Sequence, residues 1–317
     1  MHKKVFTKYA GNPIMTADAM PQPVMYLLNP GAVKHNGEYI MMMDAATLST
    51  PIVLWVARSR DGLRFTPDPM PAKWPKWSET VTENCIYDPR ITRIGDEFII
   101  MYASQAPGRG VRTGVVKTRD FIEFQRIAQA ETDQDNRNST LFPEKVNGRY
   151  VRFDRPMTGE TDPGDMCISY SHDLRHWEDT KILMTPRRGF WDCHKIGAGA
   201  VPIKTPRGWL EIYHGVDNSP CNGFIYRLGV VLLDLDDPSK IISRGELPVL
   251  WPDKVYEMTG RVPNVTFACN ALLEDDGTVK VYYGAGDACI GLAEAKLDDL
   301  VDACFSVNTL TRHSFGG

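Results

Sequence analysis

The sequence lacks the features that would direct a protein to a membrane, a nucleic acid or the cell exterior. No stretch of its 317 residues reaches the roughly 18 apolar residues of a membrane-spanning helix. There is no run of Lys or Arg, and 36 basic against 40 acidic residues give a formal charge of −4. Collective attraction to a polyanion is therefore excluded, and only a local anion pocket stays open. The basic start of the chain is not followed by the apolar segment of a secretory signal.

Paired cysteines and several common catalytic signatures are also missing. The seven cysteines are scattered, with no C-x-x-C pair, which favours reduced thiols in the cytoplasm. There is no G-x-S-x-G elbow, no G-x-x-x-x-G-K-[ST] loop and no H-E-x-x-H helix. His194 and His214 have no second ligand at a metal-binding spacing. We therefore expect neither a metal nor an organic cofactor.

What the chain does contain is a repeat of two short elements. The first is a turn glycine that leads into an apolar strand, found at Gly37, Gly95, Gly148, Gly208 and Gly277. The second is a turn in which an Asp side chain can cap its own backbone. It occurs at Asp61, Asp120 and Asp173, with looser copies at residues 235–237 and 297–299.

The repeat predicts the fold class. Its spacing of roughly 50 to 70 residues suits one four-stranded propeller blade with its loops. Runs such as residues 52–56 and 113–116 are β-rich, and no long stretch keeps a helical period. We therefore predict an all-β, five-bladed β-propeller that spans residues 1–317 as a single domain. The alternative is a pair of β-sandwiches whose turns resemble each other by chance.

A propeller brings the inner strands of all its blades to one channel, so the site should be sought at blade-equivalent positions. Asp88 lies between Tyr87 and Pro89 in such a segment. A desolvated carboxylic acid there could protonate the leaving oxygen in glycosyl transfer. The alternative is a turn aspartate paired with Arg90.

A set of basic and amide side chains occupies other segments of this kind. Arginine forks, a lysine and a histidine could together hold a tetrahedral oxyanion if they converge. The set consists of Arg137, Asn138, Arg155, Lys195 and His214.

Aromatic residues near these positions could stack on sugar rings or pack between blades. They are Tyr87, Trp191, Trp209, Tyr226 and Phe267. For Trp209, which lies inside an apolar strand, packing is the favoured interpretation.

Several of these motifs, in this order, resemble the β-mannoside phosphorylases of glycoside hydrolase family 130. The resemblance runs from about residue 12 to residue 299. It rests on Y-D-P-R-I-T at 87–92, N-R-N at 136–138 with L-F-P-E-K at 141–145, D-R-P at 154–156, K-I-G-A-G at 195–199 and Y-H-G-V at 213–216. N-G-F at 222–224, P-N-V-T-F at 263–267 and Y-Y-G at 282–284 extend it.

The resemblance implies a five-bladed propeller that cleaves a β-mannosidic bond with inorganic phosphate. The products are α-mannose 1-phosphate and a shortened sugar, and the anomeric centre is inverted. Asp88 would be the general acid, passing its proton through a hydroxyl of the mannosyl residue. Phosphate, a co-substrate and not a cofactor, would be bound by Arg137, Asn138, Arg155, Lys195 and His214. Sugar would be contacted by Asn29, Tyr87, Tyr226, Phe267 and Asp287.

The resemblance leaves the nucleophile, the linkage and the assembly to be decided. A β-1,4 linkage is favoured, and a β-1,2-mannoside phosphorylase is an alternative. Because phosphate is already anionic and needs placement only, the full cationic set favours phosphorolysis over an inverting β-mannosidase using Glu83 or Asp165 as base. A non-catalytic carbohydrate-binding propeller is the third hypothesis. Loops at 15–22, 69–77 and 159–165 are candidates for bordering the acceptor site, and a homo-oligomer is expected from the family.

Overall fold

The described strands form five antiparallel sheets, as the repeat predicts. The computed structural model describes residues 4–48, 52–76, 83–108, 110–128, 135–157, 164–219 and 223–309. The strands are β1 (Thr7–Lys8), β2 (Val24–His35), β3 (Glu38–Thr47), β4 (Val53–Ser59), β5 (Thr66–Pro67), β6 (Cys85–Ile94), β7 (Glu97–Gln105), β8 (Val111–Thr118), β9 (Gln125–Ala128), β10 (Asn136–Leu141), β11 (Tyr150–Pro156), β12 (Met166–Ser171), β13 (Glu178–Met184), β14 (Lys195–Gly197), β15 (Ile203–Thr205), β16 (Gly208–Ser219), β17 (Gly223–Leu233), β18 (Ile241–Arg244), β19 (Thr266–Ala268), β20 (Leu272–Leu273), β21 (Thr278–Ala285) and β22 (Cys289–Lys296).

Helix is scarce in the described part of the chain. A 3-10 helix covers Ala17–Ala19, and the α-helices are α1 (Val255–Met258) and α2 (Leu297–Ala303). The sheet orders are β2-β3-β4-β5, β6-β7-β8-β9, β10-β11-β12-β13, β14-β16-β17-β18 with β15 on β16, and β19-β21-β22-β1 with β20 on β21. We number these sheets blades 1 to 5. The prediction of an all-β, five-bladed propeller is confirmed, and the β-sandwich alternative is wrong.

The predicted turn glycines mark the second strand of every blade. Strands β3, β7, β11, β16 and β21 begin at these glycines or one or two residues after them. All five glycines have a positive φ, which costs a residue without Cβ nothing. A glycine was therefore a reliable sign of the hairpin between the first two strands of a blade.

The predicted Asp turns are confirmed in three blades, confirmed in part in blade 4 and wrong in blade 5. Asp61 Oδ1 accepts the backbone N–H groups of Leu63 and Arg64 at 2.9 and 2.8 Å, and Asp120 and Asp173 do the same. In blade 4 Asp237, within the predicted segment 235–237, accepts the Ser239 N–H at 3.2 Å, but the carboxylate that accepts the N–H groups two and three positions ahead belongs to Asp234. The predicted copy at 297–299 is instead the first turn of α2, where two acidic residues suit a helix N-terminus.

The hydrophobic core lies between neighbouring blades. Ile40 and Met42 of blade 1, for example, share a buried cluster with Ile91 and Ile100 of blade 2. Trp209 packs in the same manner against Phe142, with ring centroids 5.2 Å apart, so its predicted role in packing is confirmed. Sheets that pack face to face in this way fix how the inner strands sit around the channel.

The start of the chain completes the last blade. Strand β1 pairs with β22, bringing Thr7 opposite Glu294 and Lys8 opposite Ala293. The Lys8 ammonium also donates hydrogen bonds to Asp253 and Glu257 at 2.7 and 2.6 Å. Blade 5 is therefore built from both ends of the described chain.

The innermost strands lose regular pairing in their middle. Register shifts interrupt β2 between Leu28 and Gly31, β6 between Tyr87 and Arg90, and β10 between Arg137 and Thr140. In blades 4 and 5 the inner strand is split into β14 and β15, and into β19 and β20.

The left-handed residues of these shifts are asparagine or aspartate. Asn29, Asp88 and Asn138 have φ angles of 40°, 58° and 57°, a conformation that Asn and Asp tolerate better than other residues with a Cβ. Irregular pairing re-aims side chains, and all three of these residues line one cavity.

Candidate active site

One cavity of about 320 Å³ is lined by all of the residues predicted to act as acid, to bind phosphate or to contact sugar. All five blades contribute to its wall. The predicted residues that line it are Asn29, Tyr87, Asp88, Arg137, Asn138, Arg155, Lys195, His214, Tyr226, Phe267 and Asp287. The convergence that spacing alone could not establish is thus a property of the fold.

Asp88 is buried and held on several sides. Its Oδ1 accepts a hydrogen bond from Asn29 Nδ2 at 2.7 Å, and its backbone N–H donates to both carboxylate oxygens of Asp44 at 2.9 and 3.1 Å. The alternative prediction, a turn aspartate paired with Arg90, is confirmed only in part. Arg90 Nη1 lies 3.9 Å from Asp88 Oδ2, while its hydrogen bonds go to carbonyl oxygens, including that of Asp88 at 3.1 Å.

Facing this carboxylate is a group of cations that repel one another. Arg155 is buried, and its Nε and Nη1 have no hydrogen-bond partner among the described residues. Burial and the neighbouring Arg137 lower the pKa of Arg155 to about 10. Burial, Arg155 and Arg137 likewise lower the pKa of Lys195 to about 8. Buried, unpaired donors of one charge sign call for an anion.

His214 enters this site as a neutral imidazole. It is 1% exposed, and burial together with Arg155, Arg90 and Lys195 holds its pKa well below the ordinary range. Its Nδ1 has no partner within the described chain, and its ring lies 4.7 Å from that of Phe267. At neutral pH it therefore offers hydrogen bonds and not a positive charge.

A glycine makes room for these side chains. A Cβ on Gly197 would lie 2.6 Å from His214 Cε1 and 2.8 Å from Asn138 Oδ1. Such distances are far below van der Waals contact. Only glycine at this position of β14 lets blades 3 and 4 bring an amide and an imidazole together.

The sugar-facing predictions lie on the same cavity wall. The pKa of Asp287 is raised to about 6 by burial and by the Asp88 carboxylate. Tyr226 lies beneath the Lys195 ammonium, whose nitrogen is 5.0 Å from the ring centroid. Trp191, in contrast, does not line the cavity; its ring stacks on Tyr213 at 5.7 Å. Its role is packing.

Comparison with known proteins places the chain in a family. The family model for glycoside hydrolase family 130, described as beta-1,4-mannooligosaccharide phosphorylase, matches residues 4–306. The chain belongs to glycoside hydrolase family 130. A beta-1,4-mannooligosaccharide phosphorylase from Ruminococcus albus is 37% identical over 309 residues, which cover 95% of this chain and 91% of the relative.

Other relatives of this family 130 protein act on a different linkage. A 1,2-beta-oligomannan phosphorylase from Thermoanaerobacter is 36% identical over 285 residues, with 86% of this chain and 91% of the relative covered. Among solved structures, a beta-1,2-mannobiose phosphorylase from Listeria innocua bound to beta-1,2-mannobiose superposes with a TM-score of 0.85. It is 28% identical and covers 95% of this chain and 99% of that one.

The sequence analysis did not predict two of the charged residues that line this cavity. Asp44 and Arg261 both line it. Asp44 lies within a strand of buried apolar residues, and a lone carboxylate in such a strand is a signal that could have found it. Arg261 follows α1 in a segment without any recognisable pattern.

Neither predicted base for a hydrolase lines the cavity. Glu83 accepts hydrogen bonds from Arg126, Ser104 and Tyr102 at 2.6, 2.6 and 3.0 Å, so its carboxylate is occupied in a structural cluster. Asp165 is absent from the described cavity wall.

The predicted acceptor loops do not reach the cavity in the described part of the chain. No described residue of 15–22, 69–77 or 159–165 lines it, and residues 77 and 159–163 lie outside the described residues. Ile52, Arg261 and Val262 line it instead. The described residues contain no group of His, Cys, Asp and Glu able to hold a metal ion and no helix long and apolar enough to cross a membrane.

Proposed function

We propose that this family 130 protein is an inverting β-mannoside phosphorylase. Asp88 would donate a proton, through a hydroxyl of the mannosyl residue, to the glycosidic oxygen. As the bond from C1 to that oxygen breaks, a phosphate oxygen would bond to C1 from the opposite face. The products would be α-D-mannose 1-phosphate and a shortened sugar, and solvent would return a proton to Asp88.

The observation that carries the proposal is the group of cations opposite Asp88, in which Arg137 is paired with Asp135 and Arg155 is not paired with any described carboxylate. Arg155 has buried donors without described partners, and it lowers the pKa of Lys195. Such an arrangement is costly in the free protein and is relieved when a dianion binds. Water needs no such group, and the two predicted bases for a hydrolase are not on the cavity wall.

The residues of the cavity would have the roles that the resemblance implies. Phosphate would be bound by Arg137, Asn138, Arg155, Lys195 and His214. The mannosyl residue would be contacted by Asn29, Tyr87, Tyr226, Phe267 and Asp287. Because Asp287 has a pKa raised to about 6, part of the population can donate a hydrogen bond to a sugar oxygen near neutral pH.

Incubating the protein with a β-mannobiose in the presence and absence of phosphate tests the reaction. We expect mannose 1-phosphate, with α configuration by NMR, only when phosphate is present. Free mannose formed at the same rate without phosphate would establish a hydrolase. Asp88→Asn should bind mannobiose and turn it over at least about 100-fold more slowly. Binding by the wild type without any turnover would identify a carbohydrate-binding propeller.

The linkage has two candidates, and each has a supporting relative. We favour β-1,4 because the matching family model and the Ruminococcus albus relative carry that linkage in their names. The β-1,2 alternative is favoured by the Thermoanaerobacter relative and the Listeria innocua structure. Rates with β-1,4- and β-1,2-mannobiose at equal phosphate concentration decide between them.

The proposal also covers the cellular location, the assembly and the cofactor requirement of the enzyme. We propose a cytoplasmic location, supported by cysteines that form no disulfide in the described chain, and a homo-oligomer, supported by the family resemblance. Activity should need no metal and no organic cofactor. Dialysis against a chelator should leave the rate unchanged, and light scattering measures the assembly.

A further inference from the structure

Side chains, and not neighbouring strands, hold the peptide of Asp88 in place. The register of β6 on β7 is interrupted between Tyr87 and Arg90, so Asp88 has no ladder partner. Its N–H donates instead to Asp44, and its carbonyl oxygen accepts from Arg90 Nη1 at 3.1 Å. Its conformation, with φ at 58°, is one that an Asp adopts only at some cost.

The Arg90 end of this arrangement is anchored across the channel. Arg90 Nε and Nη2 donate to the carbonyl oxygens of Gly199 and Ala198 at 3.0 and 3.1 Å. These carbonyls belong to the interruption between β14 and β15. The carbonyl side of the Asp88 peptide is thus fixed to blade 4, which also carries Lys195.

The Asp44 end comes from the second strand of blade 1. Asp44 is 1% exposed and has buried apolar neighbours, Met43 and Ala45, on either side in β3. Both of its oxygens lie within 3.1 Å of the Asp88 nitrogen. Burial and the Asp88 carboxylate hold its pKa well above the ordinary range. An asparagine has the same shape and keeps an oxygen that can accept the Asp88 N–H.

We infer that Asp44 is a positioning residue that aims the general acid. By accepting the Asp88 N–H, it keeps the peptide in the left-handed conformation in which the Asp88 carboxylate meets Asn29 in the cavity. Without it, that N–H would be buried and unpaired, and the peptide would relax away from the substrate. The inference rests on the proposed role of Asp88, and its test separates the two.

The test uses the dependence of rate on the leaving group. The leaving group of β-mannobiose is a sugar alkoxide, which needs protonation by the acid. The leaving group of 2,4-dinitrophenyl β-mannoside is a stable phenolate, which does not. Asp88→Ala calibrates the comparison: we expect a loss of about 1000-fold on mannobiose and under about tenfold on the aryl mannoside. If the rate of this variant falls by the same factor on both substrates, Asp88 is not the acid and the proposed function is wrong.

Asp44→Ala should follow the same pattern more weakly. We expect kcat on mannobiose to fall about 100-fold, with the KM for phosphate and the rate on the aryl mannoside within about threefold of wild type. Asp44→Asn should retain both rates within about threefold, because its amide oxygen still accepts the Asp88 N–H. Asp44→Leu, which fills the space without an acceptor, should behave like the alanine variant and replaces it if that variant does not fold.

Asp192→Asn is the matched control. Asp192 is also fully buried and hydrogen-bonded to Arg187, Arg244 and Tyr213, but it does not line the cavity. Its substitution should lower the melting temperature and leave the ratio of the two rates unchanged. Equal losses on both substrates in Asp44→Ala, or an Asp44→Asn variant as slow as Asp44→Ala, would overturn the inference.

Discussion

Replacing Lys195 with alanine should raise the KM for phosphate while changing kcat far less. In the free protein, burial and repulsion by Arg155 and Arg137 outweigh attraction by Asp287, so the ammonium has a pKa of about 8. A charge-assisted hydrogen bond to phosphate contributes about 2 kcal/mol. Its loss corresponds to an increase of about 30-fold in the KM for phosphate, measured by initial rates at saturating mannobiose.

The pH dependence of the same step gives a sharper test. Above its pKa the lysine is neutral, so phosphate affinity must fall as pH rises through about 8. Between pH ~8 and ~9 the charged fraction drops from about one half to about one eleventh, and kcat/KM for phosphate should fall about fivefold. Lys195→Arg should show no such fall, because a guanidinium stays protonated in this range.

Two results would refute this reasoning. One is an unchanged KM for phosphate in Lys195→Ala, which would remove Lys195 from the phosphate site. The other is the same alkaline fall in Lys195→Arg as in the wild type, which would assign the titration to a different group. The dependence on mannobiose concentration, followed over the same pH range, is the control for general loss of activity.

Three further predictions concern neighbouring residues. Lys195→Met should raise the melting temperature without phosphate, because a lysine whose pKa is lowered to about 8 destabilises the folded state in full below about pH 8 and less as the pH rises toward its ordinary pKa; calorimetry with and without phosphate checks this. Gly197→Ala should raise the KM for phosphate at least about tenfold by displacing His214, with Gly37→Ala, outside the cavity, as the control. Glu83→Gln should lower the melting temperature by removing the charge that pairs with the partly buried Arg126 at 2.6 Å, whereas a loss of activity at an unchanged melting temperature would contradict its structural role.

The fold could be predicted because each blade repeats local signals. A turn glycine is needed where the chain enters the second strand, and the capping aspartates at 61, 120 and 173 depend only on residues two and three positions ahead. Where the signal weakened, as at 297–299, the chain forms the helix α2 instead. Local hydrogen bonding can be predicted from sequence, and the prediction failed where the motif was weakest.

The site was predictable only in part because its defining contacts are long-range. The eleven predicted residues reach one cavity, but spacing could not show that Arg155 lies on a second strand while Lys195 lies on a first. Asp44 was missed because it is surrounded in sequence by core residues. Its importance is visible only in the structure, where the backbone N–H of Asp88, 44 residues away in sequence, donates a hydrogen bond to the Asp44 carboxylate.

Because β1 completes blade 5, enzymatic activity shows whether the ring of five blades is closed. Asp287 follows β21 and Phe267 lies in β19, and β22 of the same sheet pairs along its outer edge with Thr7 and Lys8 and, further along, with Met15. Deleting residues 7–15, which supply these pairings, would leave β22 as an unpaired edge strand while the other four blades stay paired as before. Catalysis should then disappear at temperatures where circular dichroism still records an almost complete complement of β-strand.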